Sequence, residues 1–294
     1  MSRQPVDGVD LLARAKINLA LHVTGRRGDG YHLLDSLVVF ADVGDKLHLE
    51  PAKQTSLEIS GPFAAGLNVD DNNLVLQAFH KLSAALPAPL PATAFHLQKN
   101  LPISSGIGGG SADAAAALNG LIDLWQIEIE PEALSAIALS LGADVPVCLA
   151  GKTCRMGGVG EELTCIENFP AINCVLVNPG VGVSTPDVFK ALALPADEPA
   201  FSPLPDLPDD DWINWLTKTR NDLQPAAITQ TPQIQQTVNA LTQTNNCQLA
   251  RMSGSGATCF GLYDSRQDAE DAAAMIADVH PYWWVNATRI GYRN

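Results

Sequence analysis

The chain has 294 residues, 46% of them hydrophobic and 17% charged, which fits a globular protein and excludes intrinsic disorder. A formal net charge of −14 excludes nonspecific nucleic-acid binding, which needs Lys and Arg to neutralise phosphates. A local anion site made of backbone N–H groups stays open.

The opening residues MSRQPVDGVD carry no apolar leader core, and no apolar run is long enough for a membrane-spanning helix. The expected location is the cytoplasm, without a membrane or nucleic-acid partner. The six cysteines include no C-x-x-C pair, so they are expected as free thiols in a reducing compartment. Asn286-Ala287-Thr288 is read as a chance sequon.

In chain order, residues 11–24 alternate in part and predict a strand carrying Ile17, Leu19 and Leu21 on one side. GRRGDG at 25–30 is a turn-rich loop. Residues 33–40 and 46–50 predict two strands separated by a turn at Asp42-Val43-Gly44-Asp45. A capped helix follows over 74–86, then a short strand over 93–98.

The segment LPISSGIGGGSADAAAALNGLIDLW, residues 101–125, begins glycine-rich and ends as an Ala- and Leu-rich helix. A helix over 131–141 opens with Pro131, and Gly142 to Pro146 breaks it. A buried strand is expected over 172–178 and an exposed Pro- and Asp-rich loop over 196–211. Helices near 211–219 and 231–244, a strand at 258–263, a helix at 266–278 and a strand at 283–289 complete the reading. Without strict β-α alternation the fold class is α+β. The composition shift near 150–165 divides it into domains 1–155 and 156–294.

The chemistry concentrates in Pro102, Ser104, Ser105, Gly106, Gly108, Gly109, Gly110 and Ser111. Glycines let a backbone approach an anion closely, and the following helix N-terminus adds unpaired N–H groups and positive dipole. Together they suit a triphosphate, with Ser111 a possible Mg²⁺ ligand; the bland reading is a flexible glycine turn. Gly151-Lys152-Thr153 imitates the end of a Walker A loop, but Pro146 stands where its first glycine belongs. A dinucleotide fingerprint fails at Ser111.

Three separated segments, ARAKINL at 13–19, the glycine loop, and RMSGSGATCF at 251–260, resemble the GHMP kinase superfamily in order and spacing. AKINL at 15–19, RGDGYH at 27–32, GADVPV at 142–147, NPGVGVSTPDVF at 178–189 and RNDLQ at 220–224 are similar to its 4-diphosphocytidyl-2-C-methyl-D-erythritol kinase branch. The resemblance covers about residues 13–263. It departs at Ser104, Ile107 and Ala112, where the family more often has Gly, Leu and Ser.

That resemblance implies a two-domain fold, with a mixed-sheet N-terminal domain and a ferredoxin-like C-terminal one. It implies ATP with Mg²⁺, for which no dedicated protein ligand is assigned. The substrate would be a small molecule with a cytidine diphosphate group, and the enzyme a monomer or weak homodimer. Asp144 would be the general base and Lys16 its partner. The alternatives are a turn cap at Asp144 and an edge-strand charge at Lys16.

Asn18 would contact substrate; Tyr31 would stack on cytosine, His32 hydrogen-bond it, and Phe189 stack on its other face, with Thr185 and Pro186 lining the pocket. Phe189 could instead be core, and His32 could make an ordinary loop bond. Asn73 and Lys99 are candidates for contacts to adenosine or phosphate, although Asn73 could be only a helix cap. The turn at 253–256 would lie beside the reacting phosphates, or be simply a tight turn. His22, His48, His80, His96 and His280 receive no role.

Overall fold

The computed structural model describes residues 7–291. The absence of a leader core was read partly from residues 1–6, which lie outside the described residues. The chain divides into two compact units. The first holds the described residues up to Ala15, Val43–Ile103 and Gly108–Gly151; the second holds Lys16–Asp42, Ser104–Ile107 and the described residues from Lys152 onward. The units are therefore not two consecutive halves, because strands β1 (Val9–Arg26) and β2 (His32–Pro51) each contribute to both.

The first unit is built on a mixed sheet. The end of β2 pairs antiparallel with β4 (Thr93–Gln98), setting Leu47 against Leu97 and Leu49 against Phe95. β3 (Ser56–Ser60) runs parallel to β4. The two-residue period puts these apolar side chains on one face and His48, His96 and Glu58 on the other. Four helices complete the unit: α1 (Leu74–Ala85), α2 (Gly109–Trp125), α3 (Pro131–Leu141) and α4 (Val145–Ala150).

Helix α2 buries Ala114, Ala117, Leu118, Leu121 and Leu124. Its small residues let it lie close to neighbouring side chains. A Cβ at Gly120 would stand 2.7 Å from Leu11 Cδ1 and 2.8 Å from Leu49 Cδ1.

One expectation fails here for a stated reason. Asp42 to Asp45 makes no turn; β2 runs straight through it. Gly44 is there because β1 passes close by, and a Cβ on it would meet the Ala13 carbonyl oxygen at 2.4 Å. Gly142 ends α3 as expected, and a separate short helix follows. Helix α4 starts at Val145, with Pro146 in its first turn, where no intrahelical N–H is needed.

The first unit also buries a charge cluster. The Lys99 ammonium contacts the carboxylates of Asp45 and of Asp113, the latter at 2.6 Å. Asp45 Oδ1 accepts from the backbone N–H groups of Asn100 at 2.6 Å and Leu101 at 2.9 Å. Two carboxylates thus share one ammonium in the interior. Burial raises the Asp113 pKa to about 7, with Lys99 opposing the rise and Asp45 adding to it.

The second unit starts from the inner parts of β1 and β2. β2 pairs antiparallel with β5 (Cys154–Gly158), which forms a hairpin with β6 (Glu162–Cys165). β7 (Ile172–Asn178) is followed by α5 (Thr185–Ala191), α6 (Trp212–Thr217), α7 (Gln224–Gln230) and α8 (Gln233–Thr242). β8 (Leu249–Met252), β9 (Cys259–Tyr263), α9 (Arg266–Val279) and β10 (Trp284–Ile290) complete it. The strands form an antiparallel array in the order β10-β7-β9-β8, and Ile290 of β10 faces Ala41 of β2. Its core joins Val175, Val177, Ile234, Leu241, Tyr263 and Ile276. The α+β class holds in both units.

The 196–211 segment is mostly exposed, but it is tied down rather than loose. Ala200 and Phe201 donate backbone hydrogen bonds to Thr24 and Val23 of β1. Leu204 donates to Asp35, whose carboxylate also receives two bonds from Arg155 at 2.7 and 2.6 Å. A buried carboxylate needs such partners, and the segment supplies one.

Gly44→Ala should cost about 1–3 kcal/mol of stability, because the β1 backbone has to move; an unchanged denaturant midpoint would contradict this contact. Asp113 holds its proton more tightly folded than unfolded, so its share of stability is present in acid and is lost as pH rises through about 7. Asp113→Asn should flatten that decline, read as unfolding midpoints at about pH 5 and about pH 7.5. An unaltered slope would remove the charge cluster from the explanation.

Candidate active site

In the second unit, β1 carries Lys16 and Asn18, which are 4% and 1% exposed. Both belong to a strand whose period places them on one side. The Lys16 backbone N–H donates to the Ile107 carbonyl at 2.9 Å. The Asn18 N–H donates to Ser253 Oγ at 3.1 Å, and its Nδ2 donates to Ser36 Oγ at 2.8 Å. Ser36 in turn donates to the Ala20 carbonyl at 2.6 Å. Asn18 Oδ1 is buried without a hydrogen-bond partner among the described residues. An acceptor left that way costs about 1–3 kcal/mol unless a ligand or water donates to it.

The first half of the glycine loop is held from the same side. The carbonyls of Ser105 and Gly106 accept from Thr258 N–H at 3.0 Å and Ser253 Oγ at 3.2 Å. Ser253 therefore joins the loop to the strand bearing Asn18. Gly106 has φ +76°, and a Cβ there would lie 2.6 Å from the Ser253 carbonyl oxygen. Only glycine meets both conditions. Ser104 and Gly108 also have left-handed backbone, with φ of 51° and 65°.

In the first unit, Gly108 is the N-cap of α2 and gives it no side-chain cap. Gly109, Gly110 and Ser111 form the first helical turn, which holds no acidic residue. The backbone there is available to an anion. Asp144 precedes α4 and gives that helix no side-chain cap hydrogen bond. Pro102 and Ser105 are buried, whereas Ser104 is exposed.

Two candidate nucleotide contacts have other work. Asn73 caps α1 through Oδ1 to Val75 N–H at 3.0 Å, and its Nδ2 donates to the Asn68 carbonyl at 2.8 Å. This fills its capping alternative. Lys99 is engaged too: its buried ammonium is held by Asp45 and Asp113. Its position 3.5 Å from a would-be Gly109 Cβ makes it a support for the start of α2.

On the second unit, the GDGYH segment forms a tight turn. Gly30 N–H donates to Arg27 and Arg27 N–H to Tyr31. Tyr31 is 62% exposed. His32 lies against Phe189 with ring centroids 4.9 Å apart, tilted by 31°. These two rings are too close for a base to lie between them, so a base would use their outer surfaces and Tyr31. Burial, with help from the Arg26 charge, lowers the His32 pKa and favours the neutral ring. Thr185 Oγ1 lies 2.7 Å from Ser255 Oγ, which fixes the start of α5 against the 253–256 turn.

Asp45, Asp113 and Ser36 escaped the sequence reading. Asp113 did leave a signal: a carboxylate set among the alanines of a buried helix must find a partner or shift its pKa. Ser36 left none.

Comparison with known proteins fits this arrangement. The family pattern for the GHMP kinases N terminal domain matches residues 73–152, and that for GHMP kinases C terminal matches residues 207–281. A Cereibacter sphaeroides protein named 4-diphosphocytidyl-2-C-methyl-D-erythritol kinase is 53% identical over 96% of this chain and 99% of its own. A Brucella melitensis protein of the same name is 50% identical over 93% and 92%. A crystal structure of 4-(cytidine 5'-diphospho)-2C-methyl-D-erythritol kinase is 31% identical, with TM-score 0.79 over 97% of this chain and all of that one. A homoserine kinase from Cytophaga hutchinsonii, 17% identical with TM-score 0.68 over 98% of this chain and 96% of its own, shares the fold. The chain belongs to the GHMP kinases, and within them to the 4-diphosphocytidyl-2-C-methyl-D-erythritol kinase family.

Proposed function

We propose that this chain transfers the γ-phosphoryl group of ATP to the 2-hydroxyl of 4-diphosphocytidyl-2-C-methyl-D-erythritol, giving the 2-phosphate and ADP in non-mevalonate isoprenoid precursor biosynthesis. The observation that carries the reading is 53% identity extending over nearly the whole of both chains. Homoserine and mevalonate kinases share only the fold.

Phosphoryl transfer asks a protein for positioning and charge stabilisation more than for covalent chemistry. In this reading the amides of the 104–111 loop and the first turn of α2 hold the triphosphate. Asp144 takes the proton of the acceptor hydroxyl as the new P–O bond forms. Lys16 keeps that carboxylate ionised and stabilises charge on the transferring group. The unpartnered Asn18 Oδ1 suits a donor hydroxyl of the substrate. Tyr31, His32 and Phe189 take the cytosine, and Thr185 lines its pocket.

Mg²⁺ enters with the triphosphate. When bound, the ion would neutralise charge on the phosphate oxygens, and the Ser111 hydroxyl could serve it as a ligand. No described helix is long and apolar enough to cross a membrane. The reading places the enzyme in the cytoplasm as a monomer or weak homodimer, with domains 1–155 and 156–294.

With ATP, the enzyme should turn over 4-diphosphocytidyl-2-C-methyl-D-erythritol and neither homoserine nor mevalonate; activity on either of the latter alone would reverse the assignment. Asp144→Asn and Lys16→Ala should each lower kcat by about 10²-fold or more while ATP affinity stays nearly intact; an unchanged kcat would refute that residue's role. Phe189→Ala should raise KM for the cytidyl substrate by about 5- to 150-fold, the loss of one stacked ring. Unchanged KM would place the base elsewhere.

A further inference from the structure

The β5–β6 hairpin sets Cys154 directly opposite Cys165. One step outward, Ile166 N–H donates to the Thr153 carbonyl at 2.9 Å. Antiparallel ladders alternate hydrogen-bonded and non-hydrogen-bonded pairs. Thr153 and Ile166 are a bonded pair, so Cys154 and Cys165 are a non-bonded one. There the Cα atoms approach to about 4.5 Å and side chains on the shared face come closest. A disulfide requires a Cα separation of about 4.4–6.8 Å. Side-chain rotation, without strand movement, can therefore bring the sulfurs together.

Accessibility is asymmetric in a useful way. Cys165 is exposed and Cys154 is buried. Neither has a place in the proposed phosphoryl transfer. Burial, with the Cys165 sulfur nearby, pushes the Cys154 thiol up to about 12, with Lys16 pulling the other way. Cys165 is thus the sulfur an oxidant meets first, and Cys154 the one that follows. Cys174 and Cys247 also influence one another, but Cys174 is fully enclosed in the sheet core.

We propose that Cys154 and Cys165 are a thiol-modification site that closes into a reversible cross-strand disulfide when a small-molecule disulfide, such as glutathione disulfide, oxidises Cys165. The Cys165 thiolate attacks one sulfur of glutathione disulfide and forms a mixed disulfide, releasing one glutathione. Cys154 loses its proton and attacks the Cys165 sulfur, releasing the second glutathione. The two protein sulfurs lose two electrons, the glutathione disulfide gains them, and the two thiol protons end on the released glutathiones. The reverse exchange, by reduced glutathione, restores both thiols.

The test treats the full-length protein with glutathione disulfide, quenches with acid, and counts thiols after denaturation. The expected result is a fall from six thiols to four, no retained glutathione, and a linked peptide pair containing Cys154 and Cys165. Reduced glutathione should return the count to six. Cys154→Ser should stop at one glutathione adduct on Cys165, and Cys165→Ser should lose no thiols over the same interval. A stable glutathione adduct on wild-type Cys165, or a bond between Cys174 and Cys247 in its place, would overturn the proposal. Peptide mapping of the wild-type chain decides between these without relying on either variant.

Discussion

A phosphate chain can lie along a protein backbone only where the carbonyl oxygens point elsewhere. In this chain the carbonyls of Ser105, Gly106 and Ile107 are all held by the second unit, through Thr258 N–H, the Ser253 hydroxyl and Lys16 N–H. Oxygens that would repel a phosphate are turned toward the protein. Ser104, Gly106 and Gly108 have left-handed backbone, alternating with other conformations. Much of the local sequence answers to this constraint. Gly106 has no room for a Cβ, and the 253–258 turn supplies two of the three anchors.

Buried polarity is handled in two contrasting ways. Asp45, Lys99 and Asp113 are packed into one cluster, which links the β4 exit to the start of α2. Arg251 is satisfied with no carboxylate at all: its guanidinium donates to the carbonyls of Leu19, Leu216 and Thr219 and to the Thr219 hydroxyl. Desolvation lowers its pKa to about 10, which still leaves it charged. Three buried side-chain atoms among the described residues have no hydrogen-bond partner: Asn18 Oδ1, Asp113 Oδ1 and Arg26 Nε. A buried acceptor of this kind is costly unless a donor from water or a ligand meets it.

Much of this was legible beforehand. The helices over 109–125 and 131–141 and the strands over 93–98 and 172–178 follow from periodicity, caps and breakers, which are local properties. The turn expected at 42–45 failed because Gly44 answers to a strand distant in sequence, and a single sequence cannot show whether glycine serves a turn or a close approach. The ion pairs of Lys99 were hidden for a related reason. Beside a glycine loop a lysine reads as a phosphate ligand, and its carboxylate partners lie 54 and 14 residues away. The 196–211 segment is exposed as read, but its anchoring was hidden because Asp35 carries no mark of its destination. Long-range pairing of polar groups was what the sequence withheld.

The most direct measurement is a crystal structure with a nonhydrolysable ATP analogue and the cytidyl substrate bound together. The account places phosphate oxygens within hydrogen-bond distance of the backbone nitrogens of Gly108, Gly109 and Gly110. It also places the acceptor hydroxyl against the Asp144 carboxylate. A triphosphate lying elsewhere with those amides unengaged, or an acceptor hydroxyl out of reach of Asp144, would contradict it.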